Sequence, residues 1–280
     1  MEDGFKSKRI LIAGLGLIGG SVAKALTAAG YTSLGAYDSD PTALEFASAE
    51  GVILKGYSGI AELPEADLVI CCLPPAASVE FCRKAQKLLA DAGVFAETGG
   101  LKKGITEKLA EALTGNHELL SLHPMAGKEK SGYVNSDAQL FRDSVMIMTP
   151  TVKTGINALM WARELQTVLG CRDLLELSAE RHDEVIARVS HLPHVLALAI
   201  KAMDKGEDLS RFAGGSYRSA TRVADINPRL WAELLNVNRD YLLKSIALFR
   251  ESIGVLEEAL EKGDAAELEK LLESISRDGE

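Results

Sequence analysis

The sequence predicts a doubly wound α/β domain followed by an all-helical one, and three observations carry the prediction. An apolar run at 10–13 breaks into the glycine turn Gly14-Leu15-Gly16-Leu17-Ile18-Gly19, and a helix-like stretch follows. Strand-like and amphipathic helical runs alternate as far as residue 177, which is the pattern of a mostly parallel sheet covered by helices. Beyond 177 the alternation stops and the chain reads as helix. The expected domains are therefore 1–177 and 178–280, joined directly through the last strand.

The first predicted strand, 9–13, leads into a turn suited to a dinucleotide pyrophosphate, so the N-terminal domain is read as Rossmann-like. In a G-x-G-x-x-G turn the first glycine (Gly14) permits the tight bend and the second (Gly16) leaves room for phosphate. The third (Gly19) lets helix and strand pack closely, while the helix N-terminus supplies unpaired N–H donors, so that Leu15, Leu17 and Ile18 join the glycines as cofactor-binding candidates. The second predicted strand, 33–37, ends at Asp38, about 20 residues on, where a carboxylate binds ribose hydroxyls. That carboxylate would repel a 2′-phosphate and residues 39–44 contain no arginine, so NAD is expected rather than NADP. The bland alternative is that the glycines serve only the connection and Asp38 only starts a turn.

Further strands are predicted at 68–73, 94–96, 118–122, 145–149 and 174–177. Ligands in open parallel sheets gather at the carboxyl ends of the strands, which directs attention to the residues just after each. Leu73 ends the third strand and Pro74-Pro75 follows it, as nicotinamide-side candidates or as a stiffened loop. Thr98, Gly99 and Gly100 follow the fourth, with Lys102 and Lys103 placed to meet an anion. The fifth runs into His123-Pro124-Met125-Ala126-Gly127, where Pro124 restricts the backbone of His123. An imidazole titrating near neutrality suits acceptance of a hydroxyl proton.

In the helical half, Ser178 is the expected cap of a helix over about 179–204, bent at Pro193 inside Ser190-His191-Leu192-Pro193-His194. After the glycines at 214–215, with Ser216 as cap, a short helix is expected to carry Arg218 and Arg222 on one face, a pair suited to carboxylate binding. A solvated pair is the plain alternative. A long helix follows Pro228, and a terminal one follows Gly263-Asp264. Apolar side chains at Leu234, Val237, Tyr241, Leu242, Ile246 and Phe249 exceed what so small a domain can bury alone, so a homodimer is expected.

The net charge is −9, with nine acidic and three basic residues gathered in 257–280, a solvated helical face. No basic stripe marks a nucleic-acid binder. The four cysteines have no metal-ligand or C-x-x-C spacing and read as buried thiols in a reducing cytoplasm. The charged N-terminus is unlike a signal peptide, no apolar stretch approaches 18 residues by this reading, and no membrane segment is expected. No metal site is expected.

Taken together, residues 14–21, His123-Pro124-Met125-Ala126-Gly127, Ser190-His191-Leu192-Pro193-His194, Tyr217-Arg218 and Thr221-Arg222 resemble the prephenate/arogenate dehydrogenases of tyrosine biosynthesis, in order and over nearly the whole chain. The resemblance implies NAD-dependent oxidative decarboxylation of a cyclohexadiene carrying carboxylates. By the same resemblance His123 would accept the ring hydroxyl proton and Arg222 would hold a carboxylate. His191 and His194 would line the pocket, with Ser190, Gly215 and Trp231 as weaker contacts, and an anionic substrate would find Arg218, Lys102, Lys128 and Lys130 as further available cations. Family members often carry serine where Gly100 stands, and Thr98 or a water would replace it. No length remains for a mutase or regulatory domain, so a stand-alone catalytic unit acting on prephenate, or alternatively arogenate, is expected. A β-hydroxyacid-type dehydrogenase or imine reductase would need a catalytic lysine, for which only Lys201 and Lys205 offer. A catalytically silent NAD sensor would have no use for these histidines and arginines.

Overall fold

A computed structural model describes residues 3–128, 130–204 and 209–277. The chain divides into two units: residues 1–185 with 225–234, and residues 186–224 with 235–280. The division falls beyond the expected boundary at 177 for a packing reason. His182 and Asp183 are buried against the loop that follows the fifth strand, so their helical turn belongs with the sheet. Residues 225–234 join the same unit, and Ala76 N–H there donates to Glu233 Oε1 at 3.3 Å.

The first unit is built on one eight-stranded sheet ordered β3-β2-β1-β4-β5-β6-β7-β8, comprising β1 (Ile10–Ala13), β2 (Leu34–Tyr37), β3 (Lys55–Tyr57), β4 (Ala66–Cys71), β5 (Leu89–Glu97), β6 (Glu118–Pro124), β7 (Val145–Met148) and β8 (Asp173–Glu176). Every pairing is parallel except β6 with β7. Strand order reverses between β1 and β4, and a crevice at their carboxyl ends is the usual ligand position in such sheets. Side chains alternate between the two faces: Ile10 and Ile12 enter one apolar core, Leu11 and Ala13 the other.

Several expectations are corrected. β3 was missed because Lys-Gly-Tyr shows no apolar alternation. β4 ends at Cys71, so Leu73 and Pro74 form the turn rather than the strand end. β6 extends through Pro124, which places His123 inside the strand, opposite Ile147 of β7. The partner strand supplies an edge that a single sequence window does not reveal.

The second unit is helical, and its details also depart from expectation. Pro193 does not simply bend a helix: a π-helical turn over Ala187–His191 comes first, and Leu192–Met203 begins with the proline in its first turn, where its missing N–H costs nothing. Ser178 caps the preceding helix Ala179–Ile186 as expected, its Oγ accepting from Arg181 N–H. Ser216 is not a cap. The helix Gly215–Thr221 begins one residue before it, with Gly214 at the N-cap. The long helix after Pro228 is two, Pro228–Val237 and Arg239–Lys262, parted at buried Asn238. Gly263 adopts φ +66° and Asp264 caps Ala265–Arg277.

Contrary to the expectation of no such segment, the helical stretch Ala179–Met203 is long and apolar enough, by length and composition, to cross a membrane. It also carries buried His182, Asp183 and His191. Of the residues expected at a dimer face, Leu242 is buried and Val237 is exposed, and the apolar residues Leu243, Leu248, Ile253, Val255 and Leu260, not among those expected, are also exposed along Arg239–Lys262. Cys71, Cys82 and Cys171 are buried and Cys72 half-buried, all four unpaired. Burial pushes the Cys71 thiol up to about 11 and those of Cys72 and Cys82 to about 12, which makes them poor nucleophiles.

Candidate active site

The glycine turn has the shape a dinucleotide requires. Gly14 adopts φ +90°, and a Cβ there would stand 3.0 Å from the Cys72 carbonyl oxygen. A Cβ on Gly19 would lie 1.8 Å from the Gly14 carbonyl oxygen, so only glycine allows helix and turn to close. Gly16 faces open space, and the helix Leu17–Ala28 begins with no side-chain cap. Uncapped N–H groups on a helix N-terminus attract phosphate. Asp38, at the end of β2, accepts from Leu15 N–H through Oδ2 at 2.6 Å and from Asp40 N–H through Oδ1 at 2.8 Å. These residues fit a dinucleotide.

On the neighbouring turn, Leu73 packs near Gly14, its Cδ2 3.0 Å from where a Cβ would stand there, and Pro74 precedes the helix Pro75–Ala85 as its cap. The Thr98 hydroxyl donates to the Cys71 carbonyl at 3.4 Å, and its N–H to the same oxygen at 3.1 Å. It is thereby turned toward β4 and is no evident stand-in for a hydroxyl at position 100. A Cβ on Gly100 would meet His123 Nε2 at 3.6 Å, an ordinary contact, so the loop after β5 lies against that nitrogen.

Behind His123 is an arrangement that sequence reasoning missed. His123 Nδ1 stands 2.8 Å from His182 Nε2, and His182 Nδ1 stands 2.7 Å from Asp183 Oδ1. Asp183 also accepts from the backbone N–H groups of Lys102 at 3.0 Å and Lys103 at 2.9 Å. His182 and Asp183 are 0% and 2% exposed. The only sequence clue was a His-Asp pair near the start of a helix, indistinguishable from a solvated one without knowing what packs on it.

Lys102, expected to meet an anion, is instead fully buried. Its Nζ donates to Glu97 Oε1 and, at 2.6 Å, to the Leu122 carbonyl, beside His123. Burial pushes its ammonium below the ordinary lysine value, against the pull of Glu97 and Asp183. Glu97 further accepts from Ser121 Oγ at 2.6 Å and from Gly99 N–H at 2.7 Å. Lys102 is therefore a buried structural cation that ties the Gly99-Gly100 loop to the end of β6. Lys128 forms an exposed pair with Asp137 at 3.3 Å.

In the second unit, Arg218 and Arg222 are exposed, four apart, with Arg222 opening a short turn beyond Gly215–Thr221. Gly215 is exposed at the start of that helix. His194 Nδ1 meets the Ser190 carbonyl at 2.8 Å, and His194 and Ser190 are half-buried. His191, expected to line the pocket, is 2% exposed and bonded to Asn238 Nδ2 at 3.2 Å, a core position at the start of the long helix. Trp231 is half-buried in Pro228–Val237, in the first unit. Lys201 is exposed, and Lys205 lies outside the described residues. No cluster of three or more metal-binding side chains exists among the described residues.

Comparison with known proteins accounts for this set. Residues 22–174 match the prephenate dehydrogenase nucleotide-binding domain, and residues 178–274 the prephenate dehydrogenase dimerization domain. Cyclohexadienyl dehydrogenase of Zymomonas mobilis is 33% identical over 92% of this chain and 90% of its own length. Prephenate dehydrogenase of Bacillus subtilis is 30% identical over 96% and 75%. The crystal structure of prephenate dehydrogenase from A. aeolicus, in complex with hydroxyphenyl propionate and NAD+, superposes with TM-score 0.89 at 29% identity, covering 97% of this chain and 96% of that one. With both halves matched in order, this chain belongs to the prephenate dehydrogenase family of oxidoreductases.

Proposed function

We propose that the chain catalyses the NAD-dependent oxidative decarboxylation of prephenate to 4-hydroxyphenylpyruvate. The observation that carries this reading is His123, held within β6 with its Nε2 beside the glycine loop at 99–100. Residues 14–19 would hold the pyrophosphate, Asp38 the ribose hydroxyls, and Leu73, Pro74 and Thr98 the nicotinamide side. NAD, when bound, supplies the hydride acceptor.

His123 accepts the proton of the ring hydroxyl as the carbon bearing it gives up its hydride, and a carbonyl forms there. The bond from the opposite ring carbon to its carboxylate then breaks, CO2 departs, and its electron pair completes the aromatic ring. The oxygen recovers a proton as the phenol. Arg222, with Arg218 beside it, binds substrate carboxylate through charge-assisted hydrogen bonds. His194, Ser190, Gly215 and Trp231 are the remaining candidates for substrate contact. His191 supports the long helix through Asn238 rather than touching the ligand.

The exposed apolar residues of Arg239–Lys262 and the match to a dimerization domain support a homodimer. Buried, unpaired thiols suit a reducing cytoplasm. A second reading, arogenate as substrate, is kept open by the Zymomonas relative named cyclohexadienyl dehydrogenase, a name that does not single out prephenate. Steady-state rates with prephenate and arogenate, each with NAD and NADP, test both readings. The highest kcat/KM is expected for prephenate with NAD. A clear preference for arogenate assigns the second reading, and no NADH from either compound overturns both.

A further inference from the structure

We propose that His182 and Asp183 are positioning residues for the reaction, setting the tautomer and the basicity of His123 through a buried chain of hydrogen bonds. The inference rests on the reading of His123 as the base.

An ionised carboxylate only accepts hydrogen bonds. Asp183 Oδ1, 2.7 Å from His182 Nδ1, therefore fixes the proton on that nitrogen and leaves the lone pair on Nε2. That lone pair, 2.8 Å from His123 Nδ1, fixes a proton there in turn. His123 Nε2, on the Gly100 side, is then left with its lone pair and can take a proton. The logic is that of a catalytic carboxylate orienting an imidazole, extended by one ring.

Burying a carboxylate and an imidazole is costly unless their polar atoms are partnered. Here the cost is met by the N–H groups of Lys102 and Lys103, which hold Asp183 without neutralising it. The Lys102 ammonium is engaged by Glu97 and the Leu122 carbonyl, forming a balanced pair beside the chain. When His123 gains a proton, the Asp183 carboxylate stabilises the imidazolium through His182. Removing that charge lowers the basicity of His123.

The test compares His123→Asn, Asp183→Asn, His182→Leu and His182→Gln with the parent, using prephenate and NAD. Asn at 183 can present an N–H to His182 and so reverse the tautomer. Asp183→Asn is expected to lower kcat by about 10²- to 10⁴-fold while NAD affinity stays within about twofold. The acid limb of its kcat/KM profile is expected to move to lower pH. His182→Gln, which can still accept from His123 and donate to Asp183, should retain about tenfold more activity than His182→Leu. Adding Asp183→Asn to His123→Asn should cost little more, because the two act through one group.

Rates within about threefold of the parent in Asp183→Asn and His182→Leu, with an unmoved acid limb, would overturn the inference. If only one of these variants folds, the same criteria applied to it decide. A full parental rate in His123→Asn would instead overturn the base assignment on which the inference stands. Strict additivity of the two substitutions, with His123→Asn slow, rejects the positioning role alone.

Discussion

Asp38 Oδ2 accepts the Leu15 N–H at 2.6 Å, so the carboxylate that closes β2 also anchors the glycine turn after β1. One residue thus shapes the turn and stands where ribose hydroxyls are expected. Asp38→Asn is expected to raise the KM for NAD about tenfold and to improve the relative use of NADP. Kinetics with both cofactors check it, and unchanged selectivity would remove Asp38 from cofactor choice.

His123→Asn is expected to slow turnover by about 10²- to 10⁴-fold, the usual contribution of a positioned base. NAD affinity, measured by fluorescence titration, should change little because the glycine turn lies on other strands.

Arg222→Gln removes one charge-assisted contact to carboxylate, worth about 1.5–3 kcal/mol, or about 10- to 150-fold in KM. The kcat should fall less. An unchanged KM would assign Arg222 to the solvated surface.

Lys102→Met leaves the Glu97 carboxylate buried without its cation. Breaking such a pair costs about 3–5 kcal/mol, readable in urea unfolding. Adding Glu97→Gln should recover part of the loss, since no uncompensated charge then remains.

Arg9 donates to both oxygens of Asp67 and holds its carboxyl below the usual range. A carboxyl whose folded value is depressed stabilises the fold above its unfolded value, near 4, and loses that contribution as pH falls through the folded value. Asp67→Asn should be less stable by about 0.5–1 kcal/mol at neutral pH. The difference should vanish on acidification, followed by thermal unfolding across pH.

The sequence by itself determined the parts whose cause is local. The glycines of the turn after β1 are dictated by backbone conformation and close approach, so their spacing reads directly. The end of the strand alternation at 177 and the arginines at 218 and 222 follow from periodicity. What only the tertiary structure decided lies where residues distant in the chain meet. Lys102 looked like a ligand for an anion until Glu97 and the Leu122 carbonyl enclosed it, and His191 looked like a pocket wall until Asn238 met it in the core. His182 and Asp183 gave no signal, because a helical turn carrying two polar residues is usually solvated. They become a chain to His123 only when that turn packs on the loop after β5, where burial removes the competing water and gives each hydrogen bond its direction.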